Sequence, residues 1–319
     1  MRIVAIAVLA AALCGAANAQ PYPGKPIRIV TPYNPGGTAD IMARIVAQRL
    51  TEAWGQPAVV ENRAGASGMI GTDLVAKAAP DGYTLLAAYV TEIAIVPALY
   101  PKAAYDPLKD LAPVALTALT PMVLVINPAI PATSVREFSA LAKAKPGLYA
   151  YASAGGGSPA HLAGELLQRA AGIQLTHVPY KGGGQALTDT LAGHTAMFFS
   201  SMPSAIPHIK AGKLRAIAVS SARRATAMPD VPTVAESGGF EFDITAWNGL
   251  FAPAGTPREI INKINAEVVR ALTAPEMSEK LSREGADTAP WPADQFRTFV
   301  HGEVAKFSAI IREAGVKVE

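Results

Sequence analysis

Short β-branched runs alternate with amphipathic stretches along most of this 319-residue chain. Residues 26–31 have the composition of a strand, and a pair of glycines separates them from a helix predicted over 38–54. The segments 58–61 and 83–87 have the same strand composition, with a further helix predicted between them. Strands that alternate with helices in this order indicate an α/β fold with doubly wound sheets.

The second half of the chain continues the alternation. Residues 123–126 and 215–219 are mainly apolar, as is typical of strands buried on both faces in parallel sheets. A Ser or Thr followed three residues later by Glu predicts helix starts at Ser134 and Thr256, and apolar residues at helical spacing predict a last helix over 293–314. Because no long linker separates these segments, we expect two packed lobes joined by two chain crossings.

The first twenty residues have the order of a secretory signal peptide. Arg2 is their only charge, an apolar run covers 3–14, and small residues at 17–19 suit a cleavage site. The run is too short to cross a bilayer about 30 Å thick as a helix. We predict that residues 1–19 are a signal peptide, cleaved after Ala19, and that the protein is exported.

Cys14 is the only cysteine of the chain. A lipoprotein is the alternative, in which Cys14 becomes the lipid-carrying N-terminus, but Leu13 stands where that processing site requires a small residue. If Cys14 leaves with the signal peptide, the mature chain has no thiol. Disulfide bonds, thiolate catalysis and cysteine-ligated zinc are then excluded.

Composition excludes two further classes of protein. Half of the residues are hydrophobic and 17% are charged, so the chain has enough apolar material for sizeable cores and is not intrinsically disordered. The formal net charge is only +3 and the basic residues are scattered, which argues against a nucleic-acid-binding stripe. We therefore expect no nucleic-acid partner.

Few residues have catalytic or metal-binding spacing. None of the five histidines lies in an HExxH pattern, and His161 and Glu165 share one helix face either as a local hydrogen-bonded pair or as a metal pair. Ser153 lies in a Tyr-Ala-Ser-Ala-Gly sequence, which lacks the first glycine of a nucleophile elbow. A secreted hydrolase that uses Ser153 with His161 or His177 is the alternative hypothesis, and we predict neither a metal nor a cofactor.

Three glycine-rich turns lie between strands and helix starts, at 35–40, 153–161 and 179–185. Glycine lets backbone amides turn inward and lets a ligand come close. Because a helix N-terminus has unpaired N–H groups and the positive end of the helix dipole, such a turn can bind an anion without arginine. Each turn alone is also an ordinary tight connection, but three of them in an exported chain without a catalytic set favour ligand capture.

Several stretches occur together in an order that is specific as a set, from about residue 22 to the C-terminus. They are YPGKPIRIV at 22–30, PGGTAD at 35–40, VENRAGASG at 60–68, APDGYTLL at 79–86, YDPLKD at 105–110, HVPYKG at 177–182, AGKLRA at 211–216, PDVPTVAE at 229–236, Trp247 and APAGTP at 252–257. In these stretches the chain resembles the Bug family of periplasmic solute-binding proteins, the TctC-like receptors of tripartite tricarboxylate transporters.

The resemblance implies two doubly wound α/β lobes joined by two crossings, a periplasmic-binding-protein (type II-like) architecture with a cleft between the lobes. We expect lobe one to comprise 20–124 and 251–319, and lobe two 125–250. The implied protein is a periplasmic receptor and not an enzyme. It captures a small carboxylate by hinge closure and delivers it to the membrane permease of a tripartite transporter. A receptor that opens and closes is expected to be a monomer.

In the family the first carboxylate is held by the two loops that correspond to 35–40 and 153–161 here, mostly through backbone amides and ordered water. Thr38 and Ser158 are also expected to cap helices, and Asp40 has Arg44 as an alternative partner four residues on. The resemblance predicts these ligand-binding residues: Gly36, Gly37, Thr38, Asp40, Ser153, Gly155, Gly157, Ser158, His161 and Tyr180.

Two positions depart from the family pattern. Ser200 follows Phe199 where many relatives have an aspartate, which removes a carboxylate that an amino group could bind. Glu92 stands in a segment that is usually neutral; facing the cleft it would repel a distal carboxylate, and facing solvent it would not affect binding. Tyr89, Phe198 and Phe199 are candidates for an aromatic pocket, with core packing as the alternative role of the phenylalanines.

Overall fold

The computed structural model describes residues 22–36, 38–283 and 285–317. The predicted signal peptide over 1–19, with Cys14, lies outside these residues. Within the described ranges, no helix combines the length and the apolar character needed to cross a membrane.

Nine strands in the described ranges form one mixed sheet. They are β1 (Ile27–Thr31), β2 (Ala58–Asn62), β3 (Thr84–Tyr89), β4 (Leu111–Ile126), β5 (Ala150–Ser153), β6 (Thr176–Pro179), β7 (Met197–Ser201), β8 (Arg215–Val219) and β9 (Thr245–Pro253). Their order is β2-β1-β3-β9-β4-β7-β5-β6, and β8 pairs with β4. The groups β1–β3 and β5–β7 are each parallel, whereas β4 and β9 are antiparallel to every strand they pair with.

Helices alternate with these strands and cover the sheet. They are α1 (Thr38–Trp54), α2 (Met69–Ala76), α3 (Val96–Leu99), α4 (Val135–Ala144), α5 (Pro159–Ala171), α6 (Gly183–Ala192), α7 (Met202–Lys210), α8 (Val234–Gly238), α9 (Arg258–Leu272), α10 (Pro275–Arg283) and α11 (Ala293–Ala314). Helix α1 buries Met42, Val46 and Leu50 against the sheet, one helical turn apart. The predicted α/β class is confirmed.

The long strand β4 carries the chain from one half of the sheet to the other. As far as Pro121 it pairs with β9, whose Thr245 lies opposite, and from Met122 onward it pairs with β7 and β8. The sheet therefore has two halves, which correspond to two lobes. The lobe boundaries at 124/125 and 250/251 stay predictions, and this change of partner favours 121/122 for the first crossing.

An aromatic cluster lies behind the two crossing strands. Trp247 in β9 is fully buried, and its ring packs edge-on against Phe296 of α11. The Trp247 Nε1–H group donates to Glu303 at 2.9 Å, so the buried indole nitrogen has a partner. Helix α11 thus holds the back of the crossing region.

Two local expectations differ from the structure. The strands over 123–126 and 215–219 pair with each other antiparallel, because the chain reverses direction between them rather than crossing over in a parallel unit. Ser134 accepts from the Glu137 N–H as predicted, but Thr256 caps no helix, since its hydroxyl donates to the Pro253 carbonyl and α9 begins only at Arg258.

Candidate functional site

A cleft lies beside the crossings and consists of two adjoining cavities. The interlobe cavity, about 400 Å³, is lined by residues of both sheet halves, among them Tyr33, Gly36, Ile41, Pro121, Met202 and Pro203. The lobe-two cavity, about 350 Å³, is lined among others by Ala154, Ser158, Pro159, Gly183, Phe198 and Ser200. The two cavities share Tyr89, Met122, Ser201 and Ser204, so they form one continuous cleft.

Four helices begin at this cleft. Gly36 and Ala39 belong to the start of α1, and Ser158 to Ala160 to the start of α5. The first residues of α6 and α7 line the cleft as well. Each helix start carries N–H groups without an intrahelical partner and the positive end of the helix dipole. These helix ends favour an anion in the cleft, and among the described residues that line it there is no basic side chain.

The lobe-one turn is held in place by Asp40. The Asp40 carboxylate, only 2% exposed, accepts from the Gly36 N–H at 3.0 Å, from Arg44 at 2.9 and 3.0 Å, and from Asn62 at 2.9 Å. Burial opposes ionisation, but these hydrogen bonds hold the pKa of the Asp40 carboxyl below its ordinary range. Asp40 thus fixes the turn rather than facing the cleft, and Arg44 is its partner, the predicted alternative.

Gly36 itself faces open space. Its φ of +89° is a left-handed conformation that favours glycine, and nothing lies within 4 Å of the position of an added Cβ. Gly37 lies outside the described residues, and Thr38 is the first residue of α1. The roles of all three in binding stay predictions.

The lobe-two turn before α5 is closed by its own hydrogen bonds. The Ser158 hydroxyl donates to the Gly155 carbonyl at 2.7 Å and accepts from the His161 N–H at 3.3 Å, which caps α5 as predicted. Gly155 and Gly157 have φ values of +127° and +73°. Ser158 lines the lobe-two cavity, so the capped end of α5 lies at the cleft.

Two histidines lie beneath this turn. The rings of His161 and His177 stack with centroids 3.9 Å apart, and the Gly157 N–H donates to His161 Nδ1 at 3.0 Å. Only a neutral imidazole can accept there, so the proton of His161 is on Nε2. Burial lowers the pKa of both rings, and for His177 the neighbouring His161 adds to the effect and brings the pKa to about 4. The geometry indicates that the histidines shape the turn from below.

A metal site is not formed at these histidines. His161 Nε2 lies 3.7 Å from Glu165 Oε1, and that carboxylate oxygen already accepts from the Tyr151 hydroxyl at 2.5 Å. Among the described residues, no group of three or more His, Cys, Asp or Glu side chains is placed to hold a metal ion.

Ser153 does lie next to a histidine. Its Oγ is 2.7 Å from His177 Nε2, which is within the distance that the hydrolase hypothesis requires. The same Oγ also donates to the Gly155 carbonyl at 3.1 Å and accepts from the Gly155 N–H at 3.2 Å. Ser153 is fully buried and lines neither cavity, so the pair belongs to the support of the turn.

The third glycine-rich turn, at 179–185, lines the cleft with its glycines and not with Tyr180. Gly183 and Gly184, at the start of α6, line the lobe-two cavity. The Tyr180 hydroxyl instead donates to Asp189 at 2.7 Å. Burial and this carboxylate raise the pKa of Tyr180 to about 12, so the hydroxyl keeps its proton. Tyr180 lies outside both cavities, and its role in binding stays a prediction.

Glu92 faces neither the cleft nor solvent. It is fully buried, and its two carboxylate oxygens accept from the Tyr33 hydroxyl at 2.6 Å and from the Tyr89 N–H at 2.7 Å. Burial raises the pKa of Glu92 to about 7. Tyr33 and Tyr89 both line the interlobe cavity and meet edge to face, with ring centroids 6.2 Å apart. Glu92 thus anchors an aromatic wall of the cleft from behind.

Several cleft residues were not predicted from the sequence. Tyr33 belongs to none of the sequence motifs and precedes the glycine-rich turn at 35–40. Residues 120–122 line the cleft only because of how the two lobes are arranged, which the local sequence does not indicate. Ser201 and Ser204 have a recognisable signal in the sequence, because Ser201-Met202-Pro203 resembles the Ser158-Pro159 helix start. Ser200 lines the lobe-two cavity, and Phe198 and Phe199 do so while also packing into the core.

Comparison with known proteins agrees with this architecture. The model of the tripartite tricarboxylate transporter family receptor (TctC) matches residues 42–316. The protein BugT of Bordetella pertussis is 39% identical over 320 residues, covering 100% of this chain and 98% of its own.

Two solved structures are similar over nearly the whole chain. An R. palustris protein with adipate is 33% identical with a TM-score of 0.79, covering 93% of this chain and 99% of its own. MatC from Rhodopseudomonas palustris with bound malate is 33% identical with a TM-score of 0.72, covering 91% of this chain and 100% of its own. The predicted two-lobed periplasmic-binding-protein architecture and the predicted family are confirmed: the chain belongs to the TctC family of tripartite tricarboxylate transporter receptors.

Proposed function

We propose that the protein is a periplasmic receptor that captures a small organic acid between its two lobes and delivers it to the membrane permease of a tripartite transporter. The observation that carries the proposal is the convergence of four helix N-termini on a cleft formed by both lobes. Such a cleft favours an anion and allows its release, because none of the described residues that line it has a basic side chain to form a strong ion pair.

The ligands of similar proteins support a carboxylate as the anion. The two similar R. palustris structures contain adipate and malate, both small carboxylates. The predicted binding residues Gly36 and Ser158 lie on opposite lobes and both line the cleft, as hinge closure over one carboxylate requires. A signal peptide over 1–19, a periplasmic location and a monomeric state are parts of the same proposal.

The secreted-hydrolase alternative has one supporting observation, the 2.7 Å distance between Ser153 and His177. Two others oppose it. Ser153 is fully buried, so a substrate cannot reach its Oγ. A histidine whose pKa is lowered to about 4 is also a weak general base at neutral pH. We therefore propose a receptor without enzymatic activity.

A thermal-shift screen of the mature chain, residues 20–319, tests the receptor. Each small organic acid is paired with its neutral amide or ester. An acid at about 100 times its dissociation constant adds about 2.7 kcal/mol to the free energy of unfolding, and its neutral partner adds none. Stabilisation by the neutral partners alone, or by no acid, contradicts the proposal.

A matched pair of glycine variants separates binding from folding. Gly36 and Gly212 both have left-handed φ, +89° and +69°, and neither has an atom within 4 Å of an added Cβ. Each change to alanine is expected to lower the free energy of unfolding by about 1 kcal/mol. Only Gly36→Ala places a methyl group in the cleft, so we expect it alone to weaken acid binding, by at least about tenfold. Equal affinities of the two variants would exclude Gly36 from the site.

A further inference from the structure

We propose that the ligand is an organic acid that carries no ammonium group and has an apolar body. The inference rests on the proposed receptor function and narrows it to one class of acid. Among the described residues that line the two cavities there is no Asp, Glu, Lys, Arg or His. Every charge on a bound ligand must therefore be met by backbone groups, hydroxyls and helix dipoles.

Two carboxylates that contact cleft-lining residues from behind are already paired inside the protein. Asp40 accepts hydrogen bonds from Gly36, Arg44 and Asn62 and is 2% exposed. Glu92 accepts from the Tyr33 hydroxyl and the Tyr89 N–H and is fully buried. Neither carboxylate can turn toward an ammonium group in the cleft without leaving its own donors unsatisfied, so such a group would have only neutral oxygens as acceptors.

The N-terminal ends of the helices at the cleft also favour a carboxylate over an ammonium group. The starts of α5, α6 and α7 present the positive end of a helix dipole to the cleft, whereas the start of α1 already carries the Asp40 carboxylate with its partner Arg44. A carboxylate is stabilised there, whereas an ammonium group loses its hydration and meets a potential of its own sign. A zwitterionic amino acid would keep the favourable contact of its carboxylate and add this unfavourable one.

Most of the other residues that line the cleft are apolar, with Thr120 and Ser200 as polar exceptions. Ile41, Met122 and Met202 line the interlobe cavity together with the edge-to-face pair of Tyr33 and Tyr89. In the lobe-two cavity Phe198 and Phe199 have the same role. Aromatic faces and thioether side chains make favourable contacts with a hydrocarbon or aromatic body. The cleft is thus complementary to an acid whose carboxylate lies at the helix ends and whose carbon skeleton contacts these walls.

Isothermal titration of the mature protein with matched pairs tests the inference. The pairs are 3-phenylpropanoate with phenylalanine, 4-methylpentanoate with leucine, and succinate with aspartate, which differ mainly in the amino group. For at least one pair we expect the acid to bind and the amino acid to bind at least about 100-fold more weakly, because a buried ammonium group has no anionic partner.

The outcomes separate the inference from the proposed function. An amino acid that binds as tightly as its partner acid, or more tightly, overturns the inference and leaves a carboxylate receptor. Binding of neither member of any pair contradicts the inference. If the thermal-shift screen of organic acids is also negative, the receptor function itself fails.

A pair of variants at Ser204 tests the electrostatic cause. Ser204 is exposed in the first turn of α7 and lines both cavities, so an acidic residue there is compatible with the helix. We expect Ser204→Asp to weaken binding of the acid and to narrow the preference over its amino analogue by at least about tenfold. The neutral isostere Ser204→Asn should keep the preference. An unchanged preference in Ser204→Asp would show that the potential of the cleft does not select the ligand.

Discussion

At the scale of single residues, the charged groups around the cleft support it from behind. Asp40 holds the Gly36 turn, and Glu92 holds the Tyr33–Tyr89 wall. Neither carboxylate lines a cavity, although both lie directly beneath residues that do. The described lining of the cleft therefore contains no charged side chain, while the groups that fix its shape are ionisable.

Glu92 makes stability depend on pH. In the unfolded chain its carboxyl has an ordinary pKa of 4.5, and burial raises the pKa in the folded protein to about 7. The folded state therefore binds the extra proton between these values, and the carboxyl lowers stability progressively as pH rises through this window. Relative to Glu92→Gln, we expect the wild-type free energy of unfolding to fall by up to roughly 3 kcal/mol from pH 4.5 to 8.

Denaturant unfolding at several pH values measures this difference. The matched control is Glu276→Gln, because the Glu276 side chain is 68% exposed. Its difference from wild type should stay within about 0.5 kcal/mol over the same range. A flat difference for Glu92→Gln would mean that folding does not raise the pKa of Glu92.

At the scale of elements, the start of α5 depends on the histidine beneath it. His161 Nδ1 is the acceptor for the buried Gly157 N–H. His161→Leu removes that acceptor, and we expect it to lower the free energy of unfolding by about 1–3 kcal/mol and to weaken acid binding at least about tenfold. His161→Asn keeps an oxygen near the position of Nδ1 and should retain binding within about threefold. Equal binding by both variants would show that the hydrogen bond does not shape the turn.

The same two histidines predict a loss of stability in acid. The pKa of each ring is lowered by burial from the ordinary value of 6.5, to about 4 for His177. The contribution of the two neutral rings to the free energy of unfolding is fully present above pH 6.5. It is lost as pH falls from 6.5 toward 4, because the unfolded chain binds protons more readily than the folded protein. The effect of pH on stability through the histidines is opposite in sign to the effect through Glu92. Denaturant unfolding of Glu92→Gln and of His161→Asn at several pH values therefore distinguishes the two effects.

The elements differ in how far the sequence determines them. Helix α1 has the predicted limits, because Gly55 stops it and its apolar residues lie on one face. Strand β4 was predicted only over 123–126, since its first part contains Pro113 and Pro121 and becomes a strand by pairing with the distant β9. The glycine-rich turns are local signals and were found, whereas Tyr33 joins the cleft through tertiary contacts.

At the scale of the whole molecule, the two lobes are joined by few chain crossings, and the long helix α11 contacts both of them. The chain passes between the sheet halves at Pro121–Met122 and returns before Thr245. Helix α11 lies across the back, with an ion pair from Asp294 to Arg258 of α9 at one end and from Glu313 to Arg169 of α5 at the other. Motion of the lobes is thus expected to be a rotation about the crossings.

Small-angle X-ray scattering of the mature protein tests this motion. A compact monomer of this length has a radius of gyration of about 19 Å. A saturating acid found in the thermal-shift screen should decrease the measured radius of wild type, because the cleft closes. At an acid concentration near the wild-type dissociation constant, the radius of Gly36→Ala should change much less than that of wild type. A particle of twice the mass, or an unchanged radius with bound ligand, would contradict a closing monomer.

The placement of β9 between β3 and β4 has a consequence for the order in which the molecule forms. Lobe two is built from one continuous stretch of chain, so it can fold as soon as that stretch is available. The sheet of lobe one lacks the strand between β3 and β4 until residues 245–253 arrive, long after β3 has been made. Both crossings, and with them the cleft, are therefore completed late. For the exported receptor that we propose, the cleft is expected to form only after most of the chain has crossed the membrane.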